Sequence, residues 1–310
     1  MRKRQIIIDC DPGLDDAVAL LTAFAASDTL DVIGITTVAG NVPGDLTARN
    51  ARIIRELAGA GKDVPVCKGA PVPMLRDAVT AEDFHGSTGL GNIDFPKPRI
   101  PASRQHAVNF LVKTLRATKG FPATLVITGP MTNIALASVM APDITRGIKE
   151  IVLMGGADSE GGNITPHAEF NVFADPHAAH AVFNIGVPVR VLNLDVTHQI
   201  RTSDQQVERV RALGSRQAIA AADLLAASNR LEVAAKARVA PLHDPSTIIA
   251  LLRPDLFDGR KARVSVVTEE GDRFGKTVPE YREDGHVLWY DKADADDVFS
   301  EMLGQLGKYR

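Results

Sequence analysis

Cysteine is nearly missing from this sequence, which has only Cys10 and Cys67 among its 310 residues. The two thiols form no CxxC pair and lack the spacing of a disulfide framework, so a scaffold held by disulfides is disfavoured. Cys10 stands between two aspartates, whose negative charge opposes a thiolate. We expect both cysteines to be reduced, buried thiols.

Long hydrophobic runs are missing as well. No segment approaches 18 uncharged apolar residues, the length that a membrane-spanning helix needs. The opening MRKRQIIID has a basic start but only three apolar residues before its aspartate, far fewer than the apolar stretch of a signal peptide. We therefore expect a soluble, cytoplasmic protein with no membrane partner.

A strong charge of either sign is also missing. The net charge is only −3, and no cluster of Lys and Arg with interleaved aromatic residues is present. Proteins that bind polyanions usually carry such a basic surface. Nucleic acid is therefore disfavoured as a partner, and a small molecule fits the composition better.

The distribution of β-branched residues predicts the fold class. A chain of 310 residues with 45% hydrophobic content can bury a large core, and we interpret residues 1–310 as one domain. Short β-branched runs alternate with helical patterns rich in Ala, Leu and Arg, which is typical of an α/β protein. We predict a mainly parallel, open, Rossmann-like sheet flanked by helices. Two short strands around a turn at 271–272 predict a small antiparallel edge near the C-terminus.

The element boundaries follow from the same patterns. The predicted strands lie at 6–9, 32–38, 125–128, 151–156 and 187–194. The predicted helices lie near 15–27, 45–60, 104–118, 131–140, 175–184, 203–230, 244–252 and 294–307.

The stretch IIIDCDPGLDDAVALL, residues 6–21, places four carboxylates within eight positions, those of Asp9, Asp11, Asp15 and Asp16. Two carboxylates about 4 Å apart repel by roughly 4 kcal/mol at an effective dielectric constant of about 20. No lysine or arginine lies between residues 4 and 49, and the N-terminus of a helix neutralises only part of this charge. A bound cation is the favoured explanation, and the alternative is a set of first-turn acids in an ordinary helix.

The residue types indicate which cation this would be. Carboxylate oxygens without Cys or clustered His favour Ca²⁺ or Mg²⁺ over zinc, and several carboxylates plus a backbone carbonyl suit the larger, more flexible Ca²⁺ shell. We predict Ca²⁺ as the cofactor. Such an ion lowers the pKa of a bound water, and a spare aspartate oxygen can remove its proton. This combination predicts hydrolysis.

Polar residues follow the ends of several predicted strands. Asp11 and Asn41 come just after predicted strands, Thr128 ends another, and Met154 precedes a Gly-Gly pair at the end of a fourth. In open parallel sheets, ligands bind in the crevice beyond the carboxyl ends of the strands. These positions therefore predict an active site at that edge.

These motifs resemble the inosine-uridine preferring nucleoside hydrolase family. The opening pattern of that family, DxDPGxDD, matches DCDPGLDD at residues 9–16. Further matching segments follow in the family's order along nearly the whole chain: TTVAGN at 36–41, HG at 85–86, TGPMTN at 128–133, VLMGG at 152–156, AEFN at 168–171 and LHDP at 242–245. Each segment alone is a weak signal, but together they are specific.

The resemblance implies a metal-dependent enzyme that hydrolyses the N-glycosidic bond of ribonucleosides to ribose and free base. It implies that Ca²⁺ is held by Asp11, Asp16, Asp244 and the backbone carbonyl of Thr128. Asp11 would also act as general base toward the attacking water, and His243 would protonate the departing base. The family is usually a homo-oligomer, a dimer or tetramer.

The resemblance also implies a set of substrate contacts. These are Asp15 for the ribose 2′-hydroxyl, Asn41 on the metal and sugar side, Asn163, Glu169 and Asn171 for the 3′- and 5′-hydroxyls, and His85 and Met154 on the pocket wall. The residue types also allow simpler roles, since Asn163 suits a turn, Met154 suits a core and His243 could be a polar residue oriented by its neighbour. His198, in DVTHQ, has no role that we can derive.

Aromatic residues are missing from 184–256, where members of the family commonly place an aromatic side chain that stacks on the base. At that place this chain has the aliphatic residues Leu231, Val233 and Val239, and Phe170 is the alternative stacking partner. The sequence therefore leaves the preference for purine or pyrimidine open.

Two alternatives remain at this point. An apolar strand that ends in DxD also describes a haloacid-dehalogenase-like phosphatase, which predicts Mg²⁺ and phosphate release. That alternative expects Gly-Thr where this chain has Pro-Gly, and it leaves the motifs at 169–171 and 243–244 unexplained. A non-catalytic, calcium-dependent binder of nucleosides or ribose would keep the pocket but would need neither Asp11 nor His243.

Overall fold

One sheet of nine strands organises the residues that the computed structural model describes, which are 2–118, 120–236 and 238–310. In chain order the strands are β1 (Arg4–Cys10), β2 (Leu30–Thr37), β3 (Val66–Lys68), β4 (Ala123–Ile127), β5 (Ile148–Met154), β6 (Val189–Leu192), β7 (Phe257–Val266), β8 (Thr277–Tyr281) and β9 (Val287–Ala293). Across the sheet their order is β3-β2-β1-β4-β5-β6-β9-β7-β8. Strands β1 to β6 and β9 pair in parallel, whereas β7 runs antiparallel to both β9 and β8. The predicted α/β class, with a mainly parallel sheet and a small antiparallel edge, is confirmed.

Twelve α-helices occur in the described residues. They are α1 (Leu14–Ala25), α2 (Gly44–Leu57), α3 (Glu82–His85), α4 (Ala107–Thr118), α5 (Thr132–Met140), α6 (Phe170–Ala174), α7 (Pro176–Phe183), α8 (Leu194–Thr197), α9 (Asp204–Arg211), α10 (Arg216–Lys236), α11 (Pro245–Leu252) and α12 (Ala295–Leu306). Within those residues, no helix combines the length and apolar character needed to cross a bilayer.

The helices cover both faces of the sheet because successive strand residues point to opposite sides. Ile6 and Ile8 of β1 belong to one buried apolar cluster, which contains residues of α1, α10, α11 and α12. Ile7, between them, belongs to a second cluster with residues of α4, α5 and α7. Cys10 lies in the first cluster and Cys67 in the second, and both are free and fully buried, as predicted.

The prediction of one helix over 203–230 is wrong. The chain forms two helices there, α9 and α10, and α10 continues to Lys236. The break contains Gly214, whose φ of 78° lies in the left-handed region that glycine adopts without strain. The start of α9 is fixed by a capping box, in which Ser203 and Gln206 satisfy each other's backbone N–H groups.

The other predicted helices and the five predicted strands are confirmed within a few residues of their boundaries. The sequence patterns missed β3, β9 and the short helices α3, α6 and α8. Strand β9 carries Trp289 and Tyr290, which are almost fully buried. It inserts between β6 and β7, so its place depends on pairing with strands that lie far away in the chain.

Candidate active site

The order of the strands reverses between β1 and β4, which are neighbours in the sheet although β2 and β3 separate them in the chain. Beyond the carboxyl ends of β1, β2, β4 and β5 lies a cavity of about 260 Å³. In doubly wound sheets this switch point is the place where ligands bind. The predicted site residues that line the cavity are Asp15, Asn41, His85, Thr128, Met154, Asn163, Glu169, Phe170, Asn171, His243 and Asp244.

The two remaining predicted residues, Asp11 and Asp16, lie directly behind this lining. Asn41 connects them, because its backbone N–H donates to Asp11 Oδ2 at 2.6 Å and its side-chain amide donates to Asp16 Oδ2 at 3.0 Å. The Thr128 hydroxyl donates to the other oxygen of Asp16 at 2.7 Å. The ends of β1, β2 and β4 therefore meet at these two carboxylates.

The sharp turn after β1 places the acidic residues. Helix α1 starts at Leu14, and the N–H of Gly13 donates to Asp16 Oδ2 at 3.0 Å, which folds the first helical turn back onto the strand end. A Cβ atom at Gly13 would lie 2.5 Å from Nδ1 of His85 and 2.7 Å from Nδ2 of Asn41. Only glycine leaves room for both side chains at this turn.

Asp11 is fully buried, and one of its carboxylate oxygens, Oδ1, has no hydrogen-bond partner among the described residues. Its carboxylate lies between Gly40 and Gly129, and a Cβ atom on either glycine would collide with it. Burial, followed by repulsion from Asp16, raises the pKa of Asp11 well above its ordinary value. An ionised Asp11 therefore needs a positive partner that the surrounding side chains do not supply.

Asp16 also belongs to a compact group of three carboxylates. Asp15, Asp16 and Asp244 each offer an oxygen, and these oxygens lie within 4.8 Å of one another. Burial is the largest cause that raises their pKa values, to about 6 for Asp16 and well above the ordinary value for Asp244. Asp15 Oδ1 lacks a hydrogen-bond partner among the described residues, as Asp11 Oδ1 does.

These observations fit a divalent cation. Buried carboxylates with unpartnered oxygens, beside the backbone carbonyl of Thr128, are the hard oxygen donors that Ca²⁺ and Mg²⁺ prefer. Asp9 also has an unpartnered oxygen, Oδ2, but its Oδ1 accepts hydrogen bonds from Thr36 and from Asn133, and it has no link to Asp16 such as Asn41 provides for Asp11. Of the four acids in the opening stretch, Asp11, Asp15 and Asp16 therefore remain for the cation.

The loop between β5 and α6 supplies the opposite wall. Glu169 caps α6, and its carboxylate accepts the backbone N–H groups of Gly156, Asn171 and Val172 at 2.9 to 3.2 Å. Burial nevertheless raises the pKa of Glu169 to about 7. Asn163 Oδ1 accepts the N–H of Phe170 at 2.8 Å, so Asn163 holds the loop as well as lining the cavity.

Asn171 joins this wall to the strand ends. Its side-chain amide donates to the backbone carbonyl of Thr128 at 2.9 Å and to that of Met154 at 3.3 Å. Met154 ends β5 and lines the cavity although it is only 3% exposed.

Two histidines, His85 and His243, line the cavity in neutral form. Nδ1 of His85 accepts the N–H of Leu14 at 3.2 Å, so the neutral ring carries its proton on Nε2. Burial lowers the pKa of His85 to about 4. Burial, followed by repulsion from His198, lowers the pKa of His243 well below its ordinary value.

His198, to which the sequence assigned no role, packs beside His243 with ring centroids 5.7 Å apart. Its Nδ1 lies 2.8 Å from a carboxylate oxygen of Glu160, on the loop between β5 and α6. His198 therefore connects that loop to the back of His243.

The sequence analysis did not identify several residues that line the cavity: Thr80, Ala81, Asp83, Phe84, Ile164, Glu232 and Lys236.

The aliphatic residues expected near the base do not line the cavity, namely Leu231, Val233 and Val239. Helix α10 presents Glu232 to the cavity instead, and Val233 is 50% exposed. Glu232 and Lys236 stand one helical turn apart, a spacing that signals a charged pair on one face. Phe84 precedes the HG motif and packs edge to face on His85, with ring centroids 5.0 Å apart.

Comparisons with known proteins place the chain among relatives of similar length. The sequence model described as inosine-uridine preferring nucleoside hydrolase matches residues 6–300. The pyrimidine-specific ribonucleoside hydrolase RihA of Shewanella woodyi is 42% identical over 277 residues, which are 89% of this chain and 88% of that protein. An uncharacterized protein of Schizosaccharomyces pombe is 41% identical over 98% of this chain and 99% of its own length. The solved structure of a purine-preferring ribonucleoside hydrolase from Gardnerella vaginalis matches with a TM-score of 0.91 at 28% identity, and the match covers 98% of each chain.

Proposed function

This chain belongs to the inosine-uridine preferring nucleoside hydrolase family and is an N-ribosyl hydrolase, and from this premise we propose that it works with Ca²⁺, with Asp11 as general base and His243 as leaving-group acid. The resemblance read from the sequence motifs is confirmed. The phosphatase and the non-catalytic binder lose their support, because the family match spans residues 6–300.

The observation that carries the proposal is the buried acidic group on the floor of the cavity. Asp11, Asp16 and Asp244, together with the carbonyl of Thr128, would hold the cation, and Asp15 lies close enough to contribute an oxygen. A bound divalent cation would supply the positive charge that lowers the pKa of the attacking water. Ca²⁺ is favoured over Mg²⁺ because a donor set of several carboxylates and a carbonyl suits its larger, more flexible shell.

Asp11 is the group best placed to accept a proton from that water. Its Oδ2 is held by the N–H of Asn41, while its Oδ1 has no partner among the described residues. The unpartnered oxygen has both the free lone pair and the basicity of a buried carboxylate. We therefore assign the base function to Oδ1.

The remaining carboxylates suit the charge that develops on the sugar. Cleavage of an N-ribosidic bond builds positive charge on ribose in an oxocarbenium-like transition state. Asp15 and Glu169 line the cavity, and when ionised they stabilise this charge more than the neutral substrate. We assign the ribose hydroxyls to Asp15, Asn163, Glu169 and Asn171, with Asn41 supporting the metal and sugar side.

The departing base would meet His243, which lines the cavity and offers an N–H donor. A nucleobase is a poor leaving group as an anion, so a donor to its developing negative charge accelerates departure. Because burial keeps His243 neutral near pH 7, we expect its Nε2–H group to donate a hydrogen bond that stabilises the departing base, which then takes its proton from water.

His243→Ala is expected to lower kcat for uridine by about 10²-fold, the contribution typical of a positioned acid. Hydrolysis of 4-nitrophenyl riboside should change by less than about threefold, because nitrophenolate departs without a proton. The matched control is His180→Ala, since His180 is exposed on α7. Equal losses on both substrates would exclude the leaving-group role.

The base subsite favours pyrimidines. His85 presents an Nε2–H donor, and Phe84 and Phe170 offer ring faces or edges beside it. Uracil and cytosine carry a carbonyl oxygen next to the glycosidic nitrogen, which this donor can bind, but purines present the acceptor N3 at the corresponding place, so the preference rests on the similarity to a pyrimidine-specific relative. RihA of Shewanella woodyi, at 42% identity, is named for pyrimidine ribonucleosides, and this supports the same preference here.

A base-release assay tests the function. The purified protein is incubated with uridine, cytidine, inosine, adenosine and guanosine in phosphate-free buffer, and free base and ribose are measured. We expect kcat/KM for uridine and cytidine to exceed that for inosine by at least about tenfold. Base release that requires added phosphate would contradict hydrolysis, binding without turnover would favour the non-catalytic binder, and a faster reaction with inosine would overturn the pyrimidine preference alone.

Three further properties belong to the same proposal. We propose that residues 1–310 form one domain, that the protein assembles as a homodimer or homotetramer, and that it works in the cytoplasm on free nucleosides. The assembly follows from the resemblance to the family, and light scattering of the purified protein measures it directly.

A further inference from the structure

Thr197 ends helix α8 and is fully buried. Its hydroxyl oxygen lies 2.8 Å from Nδ1 of His243, although 46 positions separate the two residues in the chain. His243 therefore has a direct hydrogen-bond partner on the side of its ring that faces into the protein.

The direction of this hydrogen bond follows from the surroundings of the hydroxyl. A buried O–H group needs an acceptor. Within the described residues, the contact with His243 is the one hydrogen bond that Thr197 Oγ1 makes, while the backbone N–H of Thr197 is used by the carbonyl of Asn193 at 3.0 Å. The hydroxyl proton therefore points at Nδ1, and the neutral imidazole carries its own proton on Nε2.

Nε2 is the ring nitrogen of His243 that the contact with Thr197 leaves free. The His243 side chain lines the cavity, and no described residue hydrogen-bonds to Nε2. The Nε2–H group is therefore available to a molecule bound in the cavity.

The support for Thr197 is itself fixed. The side chain of Asn193 accepts the N–H of Val196, which caps α8, and donates to the backbone carbonyl of Tyr290 in β9 at 2.6 Å. The ring of His198, the next residue, packs at 5.7 Å from that of His243. Thr197 is thus held on a short helix tied to the sheet, so that its hydroxyl has one position.

We propose that Thr197 is a positioning residue for His243, which orients the imidazole and keeps its proton on Nε2, toward the departing base. This inference rests on the proposed leaving-group role of His243. Thr197 itself touches neither the substrate nor the reacting atoms.

The test compares Thr197→Val, which keeps the shape but removes the hydroxyl, with Thr197→Ser, which keeps the hydroxyl. Thr197→Val should lower kcat for uridine by about tenfold, the effect expected from loss of one hydrogen bond. KM for uridine and the rate with 4-nitrophenyl riboside should stay within about twofold, because neither depends on the proton at Nε2. Thr197→Ser should recover most of the wild-type kcat.

The kinetic outcomes decide the matter. A Thr197→Val enzyme with the wild-type kcat on uridine would overturn the proposal. Equal losses on uridine and on the nitrophenyl riboside would also overturn it, because they would indicate a merely structural role. A wild-type enzyme that releases no base from any nucleoside would instead refute the proposed function, and this inference with it.

A spectroscopic measurement does not depend on how the valine variant folds or on turnover. Ring ¹⁵N chemical shifts of the full-length wild-type protein, assigned with His243→Gln, report which nitrogen of His243 is protonated. A proton on Nε2 is expected in the wild type and in Thr197→Ser. A proton on Nδ1 of the wild-type protein would refute the positioning role even if nucleosides are hydrolysed.

Discussion

Removal of divalent cations from the purified protein is expected to reduce ribonucleoside hydrolysis by at least about 10³-fold, and added Ca²⁺ is expected to restore it. Without a cation, burial and mutual repulsion oppose full ionisation of this group, since they raise the pKa of Asp16 to about 6 and the pKa values of Asp11 and Asp244 well above their ordinary values. The protein then lacks the positive charge that activates water and that favours the ionised form of Asp11. Base release is measured after chelation and dialysis, and again after addition of Ca²⁺ or Mg²⁺.

The same pKa shifts predict the pH dependence of cation binding. A cation must displace the protons of the acidic group, so the apparent affinity should fall as pH drops through about 6, the value to which the pKa of Asp16 is raised. A carboxyl whose pKa is higher in the folded than in the unfolded protein stabilises the fold at pH values below its pKa in the unfolded protein. This stabilisation is lost as the pH rises through its pKa in the folded protein. The increase in Tm produced by Ca²⁺ should therefore be larger at pH 7.5 than at pH 5.5.

Calorimetric titration in buffers of different ionisation enthalpy measures both the affinity and the protons released. Full activity of the chelated protein, with metal analysis showing no bound ion, would contradict the cation requirement. Recovery with Mg²⁺ but not with Ca²⁺ would overturn the choice of metal while leaving the site intact.

Asp11→Asn is expected to lower kcat by about 10³-fold or more, which is within the range for loss of a general base. The amide has the same shape and can still accept the N–H of Asn41, but it presents an NH₂ group where Asp11 Oδ1 has no partner. The fold should therefore be retained, and the loss should appear in kcat with natural and activated ribosides alike. That pattern separates Asp11 from His243, whose loss should spare the activated substrate.

Asp31→Asn is the matched control, because Asp31 is exposed on β2, away from the cavity lining. Circular dichroism and Tm show whether each variant folds, and titration with Ca²⁺ shows whether Asp11 acts as ligand as well as base. If Asp11→Asn keeps more than about a tenth of the wild-type kcat, the proton acceptor is another group.

The local motifs made much of the site predictable. The residues between Asp9 and Asp16 combine a strand end, a Pro-Gly turn and the first turn of a helix, so their spacing alone indicates where the carboxylates converge. The alternation of β-branched runs and helical patterns likewise indicates a parallel sheet. Gly214 lies within the helix predicted over 203–230, yet only the backbone geometry shows that it ends α9.

The wall of the base subsite was not predictable in this way. Phe84 lies in a Pro- and Gly-rich stretch whose path depends on the neighbouring segments. On α10, Glu232 lines the cavity, whereas the sequence analysis considered its apolar neighbours for that place. A shift of one residue in helical phase moves a side chain by about 100° around the axis. The phase of α10 is set by its packing on α1, which local sequence does not encode.

The sequence by itself determined the class of fold, the family and the presence of an acidic cluster at the strand ends, because these depend on residue types at short, fixed spacings. Only the tertiary structure decided that Thr197 meets His243, that β9 pairs with β6, and that Phe84 and Glu232 face the cavity. Those contacts join segments far apart in the chain. Their formation depends on the order of strands and the rotation of helices, which follow from packing of the whole core rather than from any local pattern.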